Sequence, residues 1–298
     1  MFRKKILIVL FFTPILIILF TKCNRKQIIQ QETAIIIPLT LKDSINVSIN
    51  KVEKYLETVD YTLDGNNIIY MVTDLLAKHF NRQINIPKFS SLIAQNPIYN
   101  GNHWMLYGHY FADRTYKGLI VKKEYQTTRD SVRTMLLENI WNMDYRTFWC
   151  MYCNVFPIPD TLLSLLNIYV NTSEYDLTHA ALQTQFITEN NYCHLDTTKI
   201  NQLREKSIDR MNEDTRLYFK SKEIADKDLL MELFAILAYM NRYDLLNKDY
   251  IRFVLSTQHT DGGWIHKRDE SEAHISVLAY WFLLEAEQHL DLFQEHFE

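Results

Sequence analysis

Apolar residues recur along most of the chain with the period of a helix. Residues 43–58 set Ile45, Ile49, Val52 and Leu56 on one stripe, and residues 66–80 do the same with Ile69, Val72, Leu75, Leu76 and Phe80. The i, i+4, i+7, i+11 spacing is that of an amphipathic helix. From Thr128 onward the pattern predicts helices over about 129–142, 160–170, 174–190, 197–218, 226–241, 247–258 and 270–289. Asp160, Asn171 or Thr172, Asp196 and Asp226 stand where N-caps belong. These helices are of two kinds. Segments 174–190, 226–241 and 270–289 are apolar over most of their circumference, and residues 229–238 contain one polar side chain, Glu232. Segments 197–218 and 247–258 are charged and amphipathic. A helix apolar all round is surrounded by protein, and an amphipathic one covers it. The alternation predicts an all-α fold of stacked hairpins, an α/α toroid as a complete or incomplete ring. Residues 81–127 break the pattern with Pro87, Pro97 and three of the six glycines, and 117–121 is a candidate short strand.

Composition narrows the classes. Six glycines and six prolines in 298 residues are too few for the turns of sandwiches, propellers or Rossmann folds. Neither G-x-G-x-x-G nor G-x-x-x-x-G-K-[ST] occurs, so no glycine loop cradles a phosphate. The charge runs at 42–54 and 220–227 read as solvated helix faces.

The amino terminus reads as an address. Arg3, Lys4 and Lys5 precede sixteen uncharged residues, 6–21, the basic and apolar regions of a signal peptide. The run is short of the about 20 residues that span a bilayer, and Pro14 would kink it. Leu19-Phe20-Thr21-Lys22-Cys23 resembles a bacterial lipoprotein signal, although Lys22 stands where a small residue is usual. The resemblance implies lipid attachment at Cys23 and a membrane-anchored protein of the cell envelope. An uncleaved anchor and a simply cleaved, secreted form are the alternatives, and all three export the domain. The expected organisation is a signal over 1–22, a tether over 23–42 and one helical domain over 43–298. Removing Arg3, Lys4, Lys5 and Lys22 takes the formal charge from −4 to −8, which disfavours nucleic acid as a partner. In an oxidising compartment Cys193 is expected to form a disulfide with Cys150 or Cys153, with Cys153–Cys193 the candidate pair. Cys150, Cys153, Cys193 and His194 also offer four zinc ligands. A redox reading of Cys150-Met-Tyr-Cys153 lacks the strand that such a motif adjoins.

Gln258-His259-Thr260-Asp261-Gly262-Gly263-Trp264 resembles the repeat of terpene cyclases and protein prenyltransferase β subunits. In it the glycines allow a tight reversal at positive φ, while Gln and Trp pin the loop between helices. The resemblance implies architecture only, because the aspartate-rich cyclase motif and the prenyltransferase zinc pattern are missing. A longer resemblance runs over roughly 150–285. Tyr175-Asp176-Leu177-Thr178-His179, Asn191-Tyr192-Cys193, Leu230-Met231-Glu232-Leu233 and the 258–264 loop occur in that order. This is similar to a family that contains a secreted vertebrate protein of unknown function, with Tyr192 standing where the family has glycine. It implies the fold and export, and no mechanism.

In a hairpin ring the inner helices run the same way, so polar residues in their first turns converge on one face beside the positive ends of the dipoles. Those residues are Asp176 and His179, Asp228 and Glu232, then Glu270, Glu272 and His274. Glu232, His179 and Asp176 are the catalytic candidates, a carboxylate–histidine group for acid–base work on a sugar or peptide. Asp261, Trp264, His274 and Glu270 are binding candidates. So is Trp104, from an aromatic loop with Tyr99, His103, Tyr107, His109 and Tyr110. A metal set of His179, Glu232 and His274 can be drawn, yet no H-E-x-x-H spacing supports it, so the sequence assigns no metal or cofactor. In the plainer alternative Glu232 and His179 bond each other and lock the ring, and Trp264 and Trp281 are core pins. The expected role is binding or scaffolding in the envelope, with a carbohydrate or peptide ligand. A hydrolase or lyase using Glu232 and His179 is the alternative.

Overall fold

A computed structural model describes residues 39–63, 66–87, 133–134, 136–151, 153, 156–221, 226–266 and 270–296. The signal, Cys23, most of the tether, the candidate strand at 117–121 and the aromatic loop with Trp104 lie outside the described residues. Among the described residues the fold is all-α, without a strand. The helices are α1 Leu41–Leu56, α2 Asn66–His79, α3 Met143–Met151, α4 Asp160–Tyr169, α5 Glu174–Glu189, α6 Thr197–Lys220, α7 Lys227–Tyr239, α8 Lys248–Ser256 and α9 Ala273–His289. None of them is long and apolar enough to cross a membrane.

Local chemistry explains most of the boundaries. Helix α1 begins two residues before the expected start because Thr40 and Asp43 form a reciprocal capping box. Asp196 caps α6 through the amides of Thr198 and Lys199, and Asp226 caps α7 through that of Leu229. Two expected caps are displaced. Pro159 precedes α4, so Asp160 is its first helical residue, where a carboxylate still favours the dipole. Ser173, rather than Asn171 or Thr172, precedes α5. Helix α3 is an addition, since the periodicity shows no helix there.

The two expected layers are present. Helices α5, α7 and α9 lie side by side, with α6 across α5 and α7 and α8 against α9 and α1. Every residue of 228–239 in α7 and of 275–286 in α9 is buried, whereas α6 and α8 bury one face each. The inner contacts run as an arc from α3 through α5, α7 and α9 to α2. A closed ring is not among the described contacts.

The loop between α8 and α9 is pinned as its sequence suggests. Gln258 Nε2 donates to the carbonyls of Ser48 (3.0 Å) and Gly262 (2.8 Å), and Ser48 Oγ donates to Gln258 Oε1 (2.9 Å). The Trp264 indole donates to the Val254 carbonyl at 2.9 Å. Asp261 Oδ1 accepts from the Gly263 amide (3.0 Å) and Ser271 Oγ (2.6 Å). Burial works to raise the Asp261 carboxyl, but these bonds and His259 hold it below the ordinary range. Elsewhere Glu53 Oε1 on α1 accepts from Tyr280 of α9 (3.0 Å) and from Arg82 Nε (2.7 Å).

Cys153 and Cys193 are joined as a disulfide with Cα atoms 5.6 Å apart. That removes the four-ligand zinc set and leaves Cys150 a buried free thiol, pushed up by burial. Cys193 sits in an unusual turn. Asn191, Tyr192, Cys193 and His194 all have positive φ, at 53°, 60°, 49° and 66°, a left-handed run that side chains with a Cβ oppose. Tyr192, half-buried against the core, donates from its hydroxyl to Asn201 Oδ1 at 3.1 Å. Tyr192→Gly is therefore expected to stabilise the fold by about 1 kcal/mol, read as a rise in the urea midpoint. A fall in the midpoint would show that the tyrosine contacts outweigh the backbone cost.

Candidate functional site

The first turns of α5, α7 and α9 meet, as parallel inner helices require. Asp228 and Glu232 share a face of α7 because four residues separate them. Thr178 of α5 donates to Glu232 Oε1 at 2.5 Å, and His179 Nε2 stands 3.9 Å from the same oxygen. Asp228 is held from two sides. Tyr175 of α5 donates to its Oδ2 at 2.9 Å, and His274 Nδ1 of α9 lies 2.8 Å from its Oδ1. The carboxylates are inside and the imidazoles reach water: the side chains of Glu232 and Asp228 are 6% and 11% exposed, those of His179 and His274 21% and 50%.

Neither Asp228 nor Glu232 pairs with a lysine or arginine among the described residues. Burial works to raise the Asp228 carboxyl, but the bond and charge of His274, then Tyr175 and His266, hold it below the ordinary range. The Tyr175 phenol is driven well up, first by burial and then by the Asp228 charge, so it donates as a neutral hydroxyl. A further pair adjoins: His266 Nδ1 lies 3.7 Å from Oδ1 of Asp226, the residue that caps α7.

His179 Nδ1 faces a small hydrogen-bond network of Thr147 and Gln183. Thr147 Oγ1 of α3 donates to the Met143 carbonyl (2.9 Å) and accepts from Gln183 Nε2 (3.0 Å). Its remaining lone pair faces His179 Nδ1 at 3.3 Å. A hydroxyl has one proton to give, so with that proton on the Met143 carbonyl Thr147 Oγ1 accepts from a protonated Nδ1. In that tautomer Nε2, toward Glu232, carries the free lone pair.

The expected site residues part company here. Glu232, His179 and His274 are brought together. Asp176 faces Arg146 instead, whose Nη2 is 3.5 Å away. Arg146 is almost fully buried, donates to the Trp141 carbonyl at 2.7 Å and lies over the Tyr169 ring. Trp264 is buried as a loop pin, and Asp261 is occupied by that loop's own amide and hydroxyl groups. Glu270 is exposed. Trp281 is core, donating to Glu285 Oε1 at 3.3 Å. Tyr175, Thr178 and Thr147 were not expected as site residues. The first two lie one helical turn apart, and with His179 they carry a signal in i, i+3, i+4 spacing; Thr147 carries none.

Comparison with known protein families, with characterised proteins and with solved structures finds no match to this chain.

Proposed function

We propose that this is an exported, lipid-anchored protein of the cell envelope that binds a carbohydrate or peptide ligand at the N-terminal ends of α5, α7 and α9. One observation carries the ligand reading: His179 and His274 reach water while standing over buried Asp228 and Glu232. Hydroxyl and amide groups are recognised by such mixed donors and acceptors, and the amino-terminal dipoles reinforce them. The anchor rests on the basic and apolar run ahead of Cys23. Mass spectrometry of the native amino terminus is expected to find acyl chains on Cys23, and an unmodified Cys23 would remove the anchor.

A second reading, a hydrolase or lyase, draws on the hydrogen-bonded His179. With Nδ1 given to Thr147, Nε2 can serve as a base and Glu232 as its acidic partner.

A thermal-shift screen of the purified full chain against oligosaccharides and peptides tests both. Binding is expected to raise Tm in the wild type and to raise it less in His179→Ala and Glu232→Gln. A ligand whose effect ignores both substitutions binds elsewhere and sinks the site. Turnover of that ligand, lost in His179→Ala, would select the enzyme reading.

A further inference from the structure

We infer that Asp228, Glu232 and His274 form a binding site for one divalent transition metal ion of the zinc class. The inference deepens the ligand-site reading above and rests on it. One potential ligand atom from each residue, two carboxylate oxygens and an imidazole nitrogen, falls within 4.8 Å of the others. A tetrahedral zinc with bonds of about 2.0–2.2 Å brings its ligand atoms to roughly 3.4 Å, so the widest pair closes by about 1.4 Å. Rotation of the Asp228 and Glu232 side chains on α7 and of His274 on α9 would supply that movement. The set differs from the one drawn from sequence, because Asp228 takes the place of His179. His179 lies beside Glu232, its Nε2 3.9 Å from Oε1, and is not one of the three ligands.

Three features make a cation, rather than internal bonding alone, the partner of this group. The two carboxylates lie one turn apart on α7, both buried, and no lysine or arginine pairs with them among the described residues. Burying carboxylates without a strong positive partner costs several kcal/mol each. Glu232 uses only Oε1, toward Thr178 and His179. None of the hydrogen bonds found among the described residues uses its Oε2, which leaves that oxygen free to turn to an ion. His274, half exposed, gives the cluster an open side through which an ion enters. The donor chemistry selects the ion. Calcium and magnesium want six or more oxygens, whereas a mixed imidazole and carboxylate set suits zinc.

The test is a titration of chelator-stripped full chain with Zn²⁺ in competition with a chromophoric chelator. One Zn²⁺ per chain is expected at micromolar affinity or tighter. Asp228→Asn and His274→Ala are each expected to weaken it at least about tenfold. His296→Ala, at an exposed pair with Asp249, is expected to leave it unchanged. His274 is half exposed, so His274→Ala, its fold checked by circular dichroism, decides the matter alone should Asp228→Asn unfold. Co²⁺ substitution adds a spectroscopic readout, with visible d–d bands that change in His274→Ala. Absence of saturable one-to-one binding, or binding indifferent to His274→Ala, overturns the site. Zinc binding without any saccharide or peptide recognition would keep the metal and remove the ligand reading. Ligand stabilisation that survives chelation, with no zinc bound, would do the reverse.

Discussion

Alanine in place of Gly262 is expected to cost about 3 kcal/mol of stability, near the top of the range for a single methyl group. Two penalties coincide. Gly262 has φ +101°, and an added Cβ would come within 2.4 Å of the Lys51 carbonyl oxygen and 2.8 Å of its carbon. Those are backbone atoms of α1, which cannot rotate aside as a side chain would. The loop must therefore lift from α1, and the Gln258 bonds to Ser48 go with it. Gly263→Ala, which meets the side chains of Ser271 and Ser276, is expected to cost less. Urea unfolding of both variants checks this, and a loss under about 1 kcal/mol at Gly262 would show that loop and helix are not held together.

Breaking the Cys153–Cys193 bridge is expected to cost nearly as much or more. The bridge spans 40 residues, and the loop-entropy relation gives about 4 kcal/mol at 25 °C for a closure of that length. The double variant Cys153→Ser/Cys193→Ser should lower the urea midpoint accordingly, and reductant should do the same to the wild type. Reduction also frees the left-handed turn at 191–194, whose backbone cost partly offsets the loss. Identical midpoints with and without reductant would refute the expectation. Cys150→Ala, which leaves the bridge in place, guards against thiol exchange as the cause of any difference.

Helices α5 to α9 were legible because each carries its own signal: apolar circumference in α5, α7 and α9, a charged face in α6 and α8, and aspartate caps at Asp196 and Asp226. Helix α3 was not. Its nine residues, Met143–Met151, include Arg146 and Thr147, polar in type and yet buried. Their burial comes from neighbours brought by other helices, which no period within the segment reveals. That one omission redirected part of the site. With α3 unseen, Arg146 was unavailable as the partner of Asp176, and Thr147 as the partner of His179. Glu232 was legible as the one polar residue within 229–238. The importance of Asp228 was harder to see, because its partners, Tyr175 and His274, lie 53 and 46 residues away. A turn-level motif such as Gln258 to Trp264 fared best, since apart from those to Ser48 the bonds that hold it reach no more than 12 residues along the chain.

The pairing of α1 with α9 and with the 258–264 loop has a bearing on the order of events in folding. Ser48 meets Gln258 across 210 residues, and Glu53 meets Tyr280 across 227. Helix α1 has only a single apolar stripe, Ile45, Ile49, Val52 and Leu56, and that stripe has to wait for nearly the whole chain before its cover arrives. Contacts so distant in sequence form late and slowly, since loop entropy is lost before they repay it. The earliest of the described helices in the chain is thus among the last to find its place, and for that interval its greasy side stands open to water and to any chaperone.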